Sequence, residues 1–345
     1  MATAKKLPSG NWRIRVYVGN DASGKHIYKS ITAESKKEAE RQAAMYEYEA
    51  EKKAASGMTV GEAIDAYIQN NSNVLSPVST YKYSTLRKSN YYKSIEDTPV
   101  KSIKQSDIQQ FVNTLSKKYK PRTVASIYSL LYCSIRAVDD SVVFRVNSPK
   151  IRQTDIVIPT DEEIKQLIAN VRSEEMKCAI LLGASLGLRR SEISALTWGD
   201  IDGDILRVNK AMVRQGAGVW VVKSTKSKAG DRALELPPYV KEKLLSQKKD
   251  GAKETDHIIQ IDPDTITRRF MFVRDSLGIK CRFHDLRHYN ASVMLALGVP
   301  DKYAMQRMGH SSTNMLRNVY QHIISEKEKE VTQRMNQYMN RLNSP

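Results

Sequence analysis

The chain has 345 residues, more than one domain usually needs, and its 41% apolar and 27% charged residues are those of a soluble globular protein, so two or three domains are expected. No stretch reaches the about 18 apolar residues a membrane helix requires, no apolar run follows Lys5 and Lys6 to form a secretory signal, and Cys133, Cys178 and Cys281 are too few and too scattered for a disulfide framework, which fits a reducing cytoplasm. Lys and Arg number 55 against 38 Asp and Glu, and the resulting +17 is spread along the whole chain, which favours a polyanionic partner, nucleic acid or an anionic membrane surface.

The first segment reads as a small sheet followed by a helix. From Asn11 to Val18 the chain alternates strictly: Trp12, Ile14, Val16 and Val18 share one face, and Arg13, Arg15 and Tyr17 the other. Asn, Asp, Ser and Gly between Gly19 and Gly24 mark a turn, and His26–Thr32 reads as the returning strand. Ser35–Ala54 carries apolar residues at helical spacing. The Arg-Arg-Tyr face fits either entry into a DNA groove or a plain solvated surface.

The second segment reads as all helical. Thr59 with Glu62 and Ser106 with Gln109 have the form of capping boxes, and Pro121 suits the first turn of a helix over Arg122–Asp139. Ser76–Tyr92 forms a further helix, with Lys82, Arg87, Lys88 and Lys93 interleaved among four tyrosines, a mixture suited to phosphate contacts. Asp140–Thr154 contains Pro149 and lacks a long periodic run, so its later part reads as a linker.

The third segment is mixed. Thr160 with Glu163 forms another capping box, and helices are expected over Thr160–Arg172, Ser173–Leu186 and Arg190–Trp198, with Gly187 as punctuation. Short strands follow at Ile205–Val213, Val219–Thr225 and Arg232–Leu236, then helices over Pro263–Leu277, Asp285–Leu297 and Asp301–Gly309. Ile324–Leu342 has apolar residues at helical spacing.

Four polar clusters punctuate this segment. Arg189 follows Gly187-Leu188, where a rigidly held guanidinium can grip a phosphate through two hydrogen bonds, and Glu192 lies three residues on to orient it. Lys226 and Lys228 occupy the tip of an expected hairpin between Lys223 and Arg232, where an ammonium can protonate a leaving oxygen. His284 and Arg287 are spaced to share a helix face. Gly309-His310 precedes Tyr320 by ten residues. Cys281, His284 and His288 imitate a metal spacing, but no further Cys/His cluster completes a zinc site, and no metal is expected.

In order, Gly-Leu-Arg, the lysine hairpin, His-x-x-Arg, Gly-His and Tyr resemble the catalytic signature of the tyrosine recombinases, also called phage integrases. Residues 1–55 look like the arm-type DNA-binding domain of phage and conjugative-transposon integrases, 56–155 like their helical core-binding domain with its linker, and 156–345 like their catalytic domain with a C-terminal helix. The implied fold is multidomain α+β: a small N-terminal β-sheet plus helix, an all-α bundle, and a mixed, mainly helical catalytic domain with a small antiparallel sheet. The resemblance implies that Tyr320 is the nucleophile forming a 3′-phosphotyrosyl bond and that Arg189 and Arg287 hold the non-bridging oxygens. It makes Lys228 the general acid, with Lys226 as the alternative, and gives His284 and His310 proton-shuttling or phosphate-binding places. Glu192 is the supporting acid.

The implied function is a site-specific DNA recombinase that integrates and excises a mobile element without ATP, metal or other cofactor. The implied partners are double-stranded DNA at core and arm sites and a homotetramer at synapsis. An excisionase and a host DNA-bending protein are partners whose need the residues leave open. A chromosome-dimer-resolving recombinase is the alternative within the class, disfavoured by the extra N-terminal module. A non-catalytic DNA-binding regulator is the alternative outside it, disfavoured because binding alone does not call for Tyr320.

Overall fold

The computed structural model describes residues 4–20, 26–151, 156–225, 230–309, 332 and 335–336. Lys226, Lys228, His310 and Tyr320, and nearly all of the expected helix over Ile324–Leu342, lie outside the described residues. The chain divides into two compact units, Met1–Ile151 and Arg152–Pro345.

The first unit opens with an antiparallel sheet of β1 (Lys5–Lys6), β2 (Trp12–Asn20) and β3 (His26–Ala33), in that order. The alternation read from the sequence places Ile14 and Val16 inward and leaves Arg13, Arg15 and Tyr17 exposed. Helix α1 (Lys36–Ser56) is capped by the Ser35 hydroxyl, which accepts from the Glu38 N–H at 3.2 Å, and buries Ala43 against Ile14 and Val16. On the outer face the Arg15 guanidinium lies 5.1 Å from the Tyr28 ring centroid, and Tyr17 packs edge-on against His26 and Tyr28. Strand β1 is new relative to the sequence reading, because two adjacent lysines carry no alternation to recognise.

Helices α2 (Val60–Asn70), α3 (Pro77–Lys88), α4 (Gln105–Ser116) and α5 (Pro121–Val138) build a second, separate core around Ile64, Tyr92, Ile108, Ile127 and Leu131. The Thr59–Glu62 capping box forms as read, and Pro121 opens α5. Two expectations change. Helix α3 stops at Lys88, and Tyr92 lies on a separate 3-10 turn, Asn90–Tyr92, which buries its ring and lets its hydroxyl donate to the Ile127 carbonyl at 3.0 Å. At α4 the Asp107 carboxylate accepts the Lys104 N–H at 2.9 Å, whereas Gln109 reaches across to the backbone of Asn147. An ionised acceptor two residues earlier outcompetes the Ser106–Gln109 pair, and the freed amide pins the start of the linker. The Arg87 guanidinium ties Asp65 on α2 to Glu96 beyond the 3-10 turn, at 2.9 and 2.7 Å.

The second unit is organised around α7 (Glu174–Leu186), which follows α6 (Asp161–Asn170). Residues 178–182 of α7 are all buried, so neighbours cover it on every side. A single turn, α8 (Arg190–Ile193), follows Gly187, then a 3-10 turn at Trp198–Asp200. The expected continuous helix over Arg190–Trp198 is therefore broken. Thr197 and Asp200 hydrogen-bond to each other, and Ile258 pairs its N–H with the Leu196 carbonyl, which takes the acceptor a longer helix would use.

Strands β4 (Ile201–Asp202) and β5 (Ile205–Val208) form one antiparallel sheet with β8 (Arg232–Glu235), while β6 (Lys210–Gly216) and β7 (Val219–Ser224) form another. The expected hairpin of Lys223 and Arg232 is thus not a hairpin. Its flanking strands belong to different sheets, because β6 and β7 are joined by only two residues and pair with each other first. Helices α9 (Pro238–Leu245), α10 (Pro263–Ser276), α11 (Asp285–Ala296) and α12 (Asp301–Met308) complete the unit. Its core joins Leu182, Leu206, Leu234, Phe270, Phe283 and Leu286. Among the described residues no helix is long and apolar enough to cross a membrane.

Candidate functional site

The site assembles where the end of α7 meets the starts of α8 and α11 and the end of α12. Gly187 closes α7 at φ +64, a conformation that costs little only without a Cβ. A Cβ there would lie 2.9 Å from the Asn290 side-chain oxygen, while the Asn290 amide donates to the carbonyls of Ala184 and Ser185. Helix α11 thereby caps α7 directly, and the chain turns sharply enough to present Arg189 two residues later.

Glu192, only 2% exposed, gathers the first guanidiniums. It accepts from the Arg189 N–H at 3.0 Å and from Arg189 Nη1 at 2.6 Å, and from Arg232 Nη2 at 2.8 Å. Burial works against its charge, but hydrogen bonding and attraction to Arg232, with Arg189 beside it, hold the carboxyl at about 2. Arg189 Nη2 donates to the Gly309 carbonyl at 3.2 Å and keeps part of its side chain in contact with solvent.

Arg287 is the largest of the fully buried side chains. Its guanidinium donates to the carbonyls of Gly187 and Met308. Burial, and then the nearby Arg189, depress its pKa. The carbonyls of Met308 and Gly309, immediately before His310, are therefore held by the two arginines read from the sequence.

His284 is the residue just before α11, so it sits at the helix entrance and Arg287 lies within its first turn. The residue is exposed, yet atoms packed round its ring withdraw water and push its pKa down to about 4, helped by His288 and Arg287. His288 packs edge-on against it, 5.3 Å between ring centroids. Asp285 is buried and accepts from the backbone and guanidinium of Arg282, which fixes the start of α11.

Arg189, Arg190, Thr267, Arg274, Arg282 and His284 line an open cleft of about 590 Å³. Its four guanidiniums are each paired with a carboxylate, Arg189 with Glu192, Arg190 with Asp264, Arg274 with Asp275 and Arg282 with Asp285, and their remaining N–H groups are donors of the kind a phosphate accepts from. Among the described residues no cluster of His, Cys, Asp or Glu is arranged to hold a metal.

The structure thus brings together Arg189, Glu192, His284 and Arg287. Arg232 is the residue the sequence reading passed over. The strand alternation carries its signal, since Arg232 shares the buried face of β8 with Leu234.

Residues 159–327 match the phage integrase family. The chain is 24% identical over 374 aligned positions to the tyrosine recombinase XerC-like protein of Caldanaerobacter subterraneus subsp. tengcongensis, covering 94% of this chain and 95% of that one. It is 26% identical over 310 positions to the integrase of Mycobacterium phage FRAT1, covering 84% and 91%. Its fold is similar to that of the Tn1549 transposon integrase in complex with a circular intermediate DNA, with TM-score 0.64 and 16% identity over 79% of this chain and 99% of that one. It is also similar to the fold of the lambda integrase in a tetramer bound to a Holliday junction, with TM-score 0.58 and 18% identity over 90% and 96%.

Proposed function

We propose, from the match of residues 159–327 to the phage integrase family, that the chain is a tyrosine recombinase that integrates and excises a mobile genetic element by cutting and rejoining DNA at specific sites. The observation that carries the reading is the convergence of Arg189 and Arg287 on the segment entering His310, with Arg189 and His284 lining one cleft.

The chemistry follows from that arrangement. The Tyr320 oxygen attacks a phosphorus atom of the DNA backbone in line with the 5′-oxygen. The P–O5′ bond breaks and a 3′-phosphotyrosyl bond forms. Arg189 and Arg287 stabilise the charge that develops on the non-bridging oxygens. A buried guanidinium such as Arg287 has already lost its water, so it need not shed a hydration shell when the phosphate arrives. Lys228, with Lys226 as the alternative, gives its proton to the departing 5′-oxygen. A phenol with an ordinary pKa of about 10 is a weak nucleophile at neutral pH, and proton acceptors at His284 and His310 make its attack feasible. With a pKa of about 4, His284 is neutral at pH 7, and its ring has a lone pair that can accept a hydrogen bond. The reverse reaction, attack of a 5′-hydroxyl on the phosphotyrosine, rejoins strands with no energy source, because the bond energy is retained in the covalent link.

The partner is double-stranded DNA. We assign arm-site contacts to residues 1–55 and their Arg13, Arg15 and Tyr17 face, core-site contacts to residues 56–155, and strand exchange to residues 156–345 within a tetramer of this chain. The relatives' DNA-bound and tetrameric structures support that assembly. The test is a labelled element-end DNA, nicked so that the cleaved product diffuses away, run on a denaturing gel. A covalent adduct is expected from the natural chain, and none from Tyr320→Phe, which retains DNA binding. An adduct from the Phe variant would refute the assignment of the nucleophile.

A further inference from the structure

We propose that Arg232 is a positioning residue for Arg189, acting through Glu192. The inference rests on the recombinase reading above and adds a residue to it.

Arg232 opens β8, and its side chain is 4% exposed, so it has no surface with which to touch DNA. Its fork is held at two points. Nη2 donates to Glu192 Oε2 at 2.8 Å, and Nη1 donates to the Gly230 carbonyl at 3.3 Å and approaches Glu192 Oε1 at 3.4 Å. Gly230 packs closely on Thr225, where an added Cβ would lie 2.7 Å from the Thr225 Cβ. The guanidinium therefore has one orientation, and it fixes the Glu192 carboxylate, whose oxygens also hold the Arg189 N–H and Nη1.

The charge count gives this arrangement its purpose. Arg189 paired with Glu192 alone is neutral, and a phosphate entering the cleft would meet a cation already compensated. Arg232 supplies the second positive charge, so the three groups together keep one net positive charge, which adds to that of Arg287. Burying an arginine and a glutamate costs more desolvation than burying two apolar side chains of the same volume, so stability alone does not account for the pair. An apolar residue at position 232 would continue the face that Leu234 presents to the core.

The test is single-turnover adduct formation on saturating nicked DNA, with DNA affinity measured separately. Arg232→Met is expected to slow adduct formation about 10-fold to 100-fold, the range seen when an orienting partner is removed behind a ligating group, with affinity unchanged. In a Glu192→Gln background the same substitution is expected to cost nothing further, because the carboxylate it acts through is gone. Arg232→Lys, which keeps the charge, is expected to recover most of the loss. Should Arg232→Met fail to fold, Arg232→Gln takes its place in the same cycle. An equal cost in both backgrounds, no cost in either, or a Lys variant no faster than Met overturns the inference and leaves the recombinase reading standing. No adduct from the natural chain overturns both.

Discussion

At the scale of single residues, the site combines groups held in unusual charge states by their surroundings. Glu192 stays ionised although buried, because Arg232 and Arg189 surround it. The pKa values of His284 and His288 are both lowered, His284 to about 4 by the atoms packed round its ring although the residue is exposed, and His288 below its ordinary value chiefly by burial. The sign of the consequence follows from proton counting. In the unfolded chain both rings take up protons near pH 6.5, whereas the folded chain resists until lower pH, so between about 6.5 and about 4 the unfolded state binds more protons and stability falls as pH drops. Glu192 adds its own loss only below that, as pH falls from 4.5 toward about 2. Thermal unfolding at pH steps from about 7.5 down to about 4.5 is expected to show a falling midpoint. His288→Asn is expected to flatten that slope. An equal slope in the variant would mean that His288 does not titrate in this window.

At the scale of elements, the junction between α7 and α11 sets the site. Gly187 lies at φ +64 against the Asn290 side chain, which its two carbonyl partners prevent from moving away. Gly187→Ala is expected to cost about 2 kcal/mol in urea unfolding, from backbone strain plus the clash with Asn290. It should also slow cleavage, since Arg189 leaves the same turn. Gly218→Ala is the control. Gly218 sits at φ +71 in the β6–β7 turn, and a Cβ there would meet nothing within 4 Å, so only the backbone cost of about 1 kcal/mol applies and cleavage should be unaffected. If both variants lose the same stability, Asn290 does not act as the wedge described. Element boundaries show where local signals failed. Thr59 and Thr160 announce their helices because each cap and its glutamate are local. Ser106 with Gln109 has the same form, yet Asp107 wins the cap because its charge was nearer. Arg190–Trp198 has helical composition, but pairing with residues about sixty positions away stops the helix after one turn.

At the scale of the whole molecule, the +17 charge and the exposed Arg13, Arg15 and Tyr17 of β2 are the grounds for proposing that residues 1–55 contact DNA. Deleting residues 1–55 is expected to weaken binding to arm-site DNA and to make the slope of log affinity against log salt shallower by about 0.9 for each phosphate no longer neutralised, while core-site cleavage persists. The separate core of that module, Ile14, Val16 and Ala43, makes the deletion feasible without opening the helical core around Ile127. Unchanged arm-site affinity would remove the Arg-Tyr face from the DNA interface.

The sequence by itself determined the faces of β2, the Thr59 and Thr160 helix starts and the order of motifs that resembles the tyrosine recombinases. Each of these depends on neighbours within a few residues or on a motif order that survives divergence. Only the tertiary structure decided which strands pair, that the lysine segment joins two sheets, that Arg189 and Arg287 close on the carbonyls of residues 308–309, and that Arg232 stands behind Glu192. Those depend on which buried surfaces meet across tens of residues, and a buried ion pair leaves no periodic trace beyond one charged residue on the inward face of a strand.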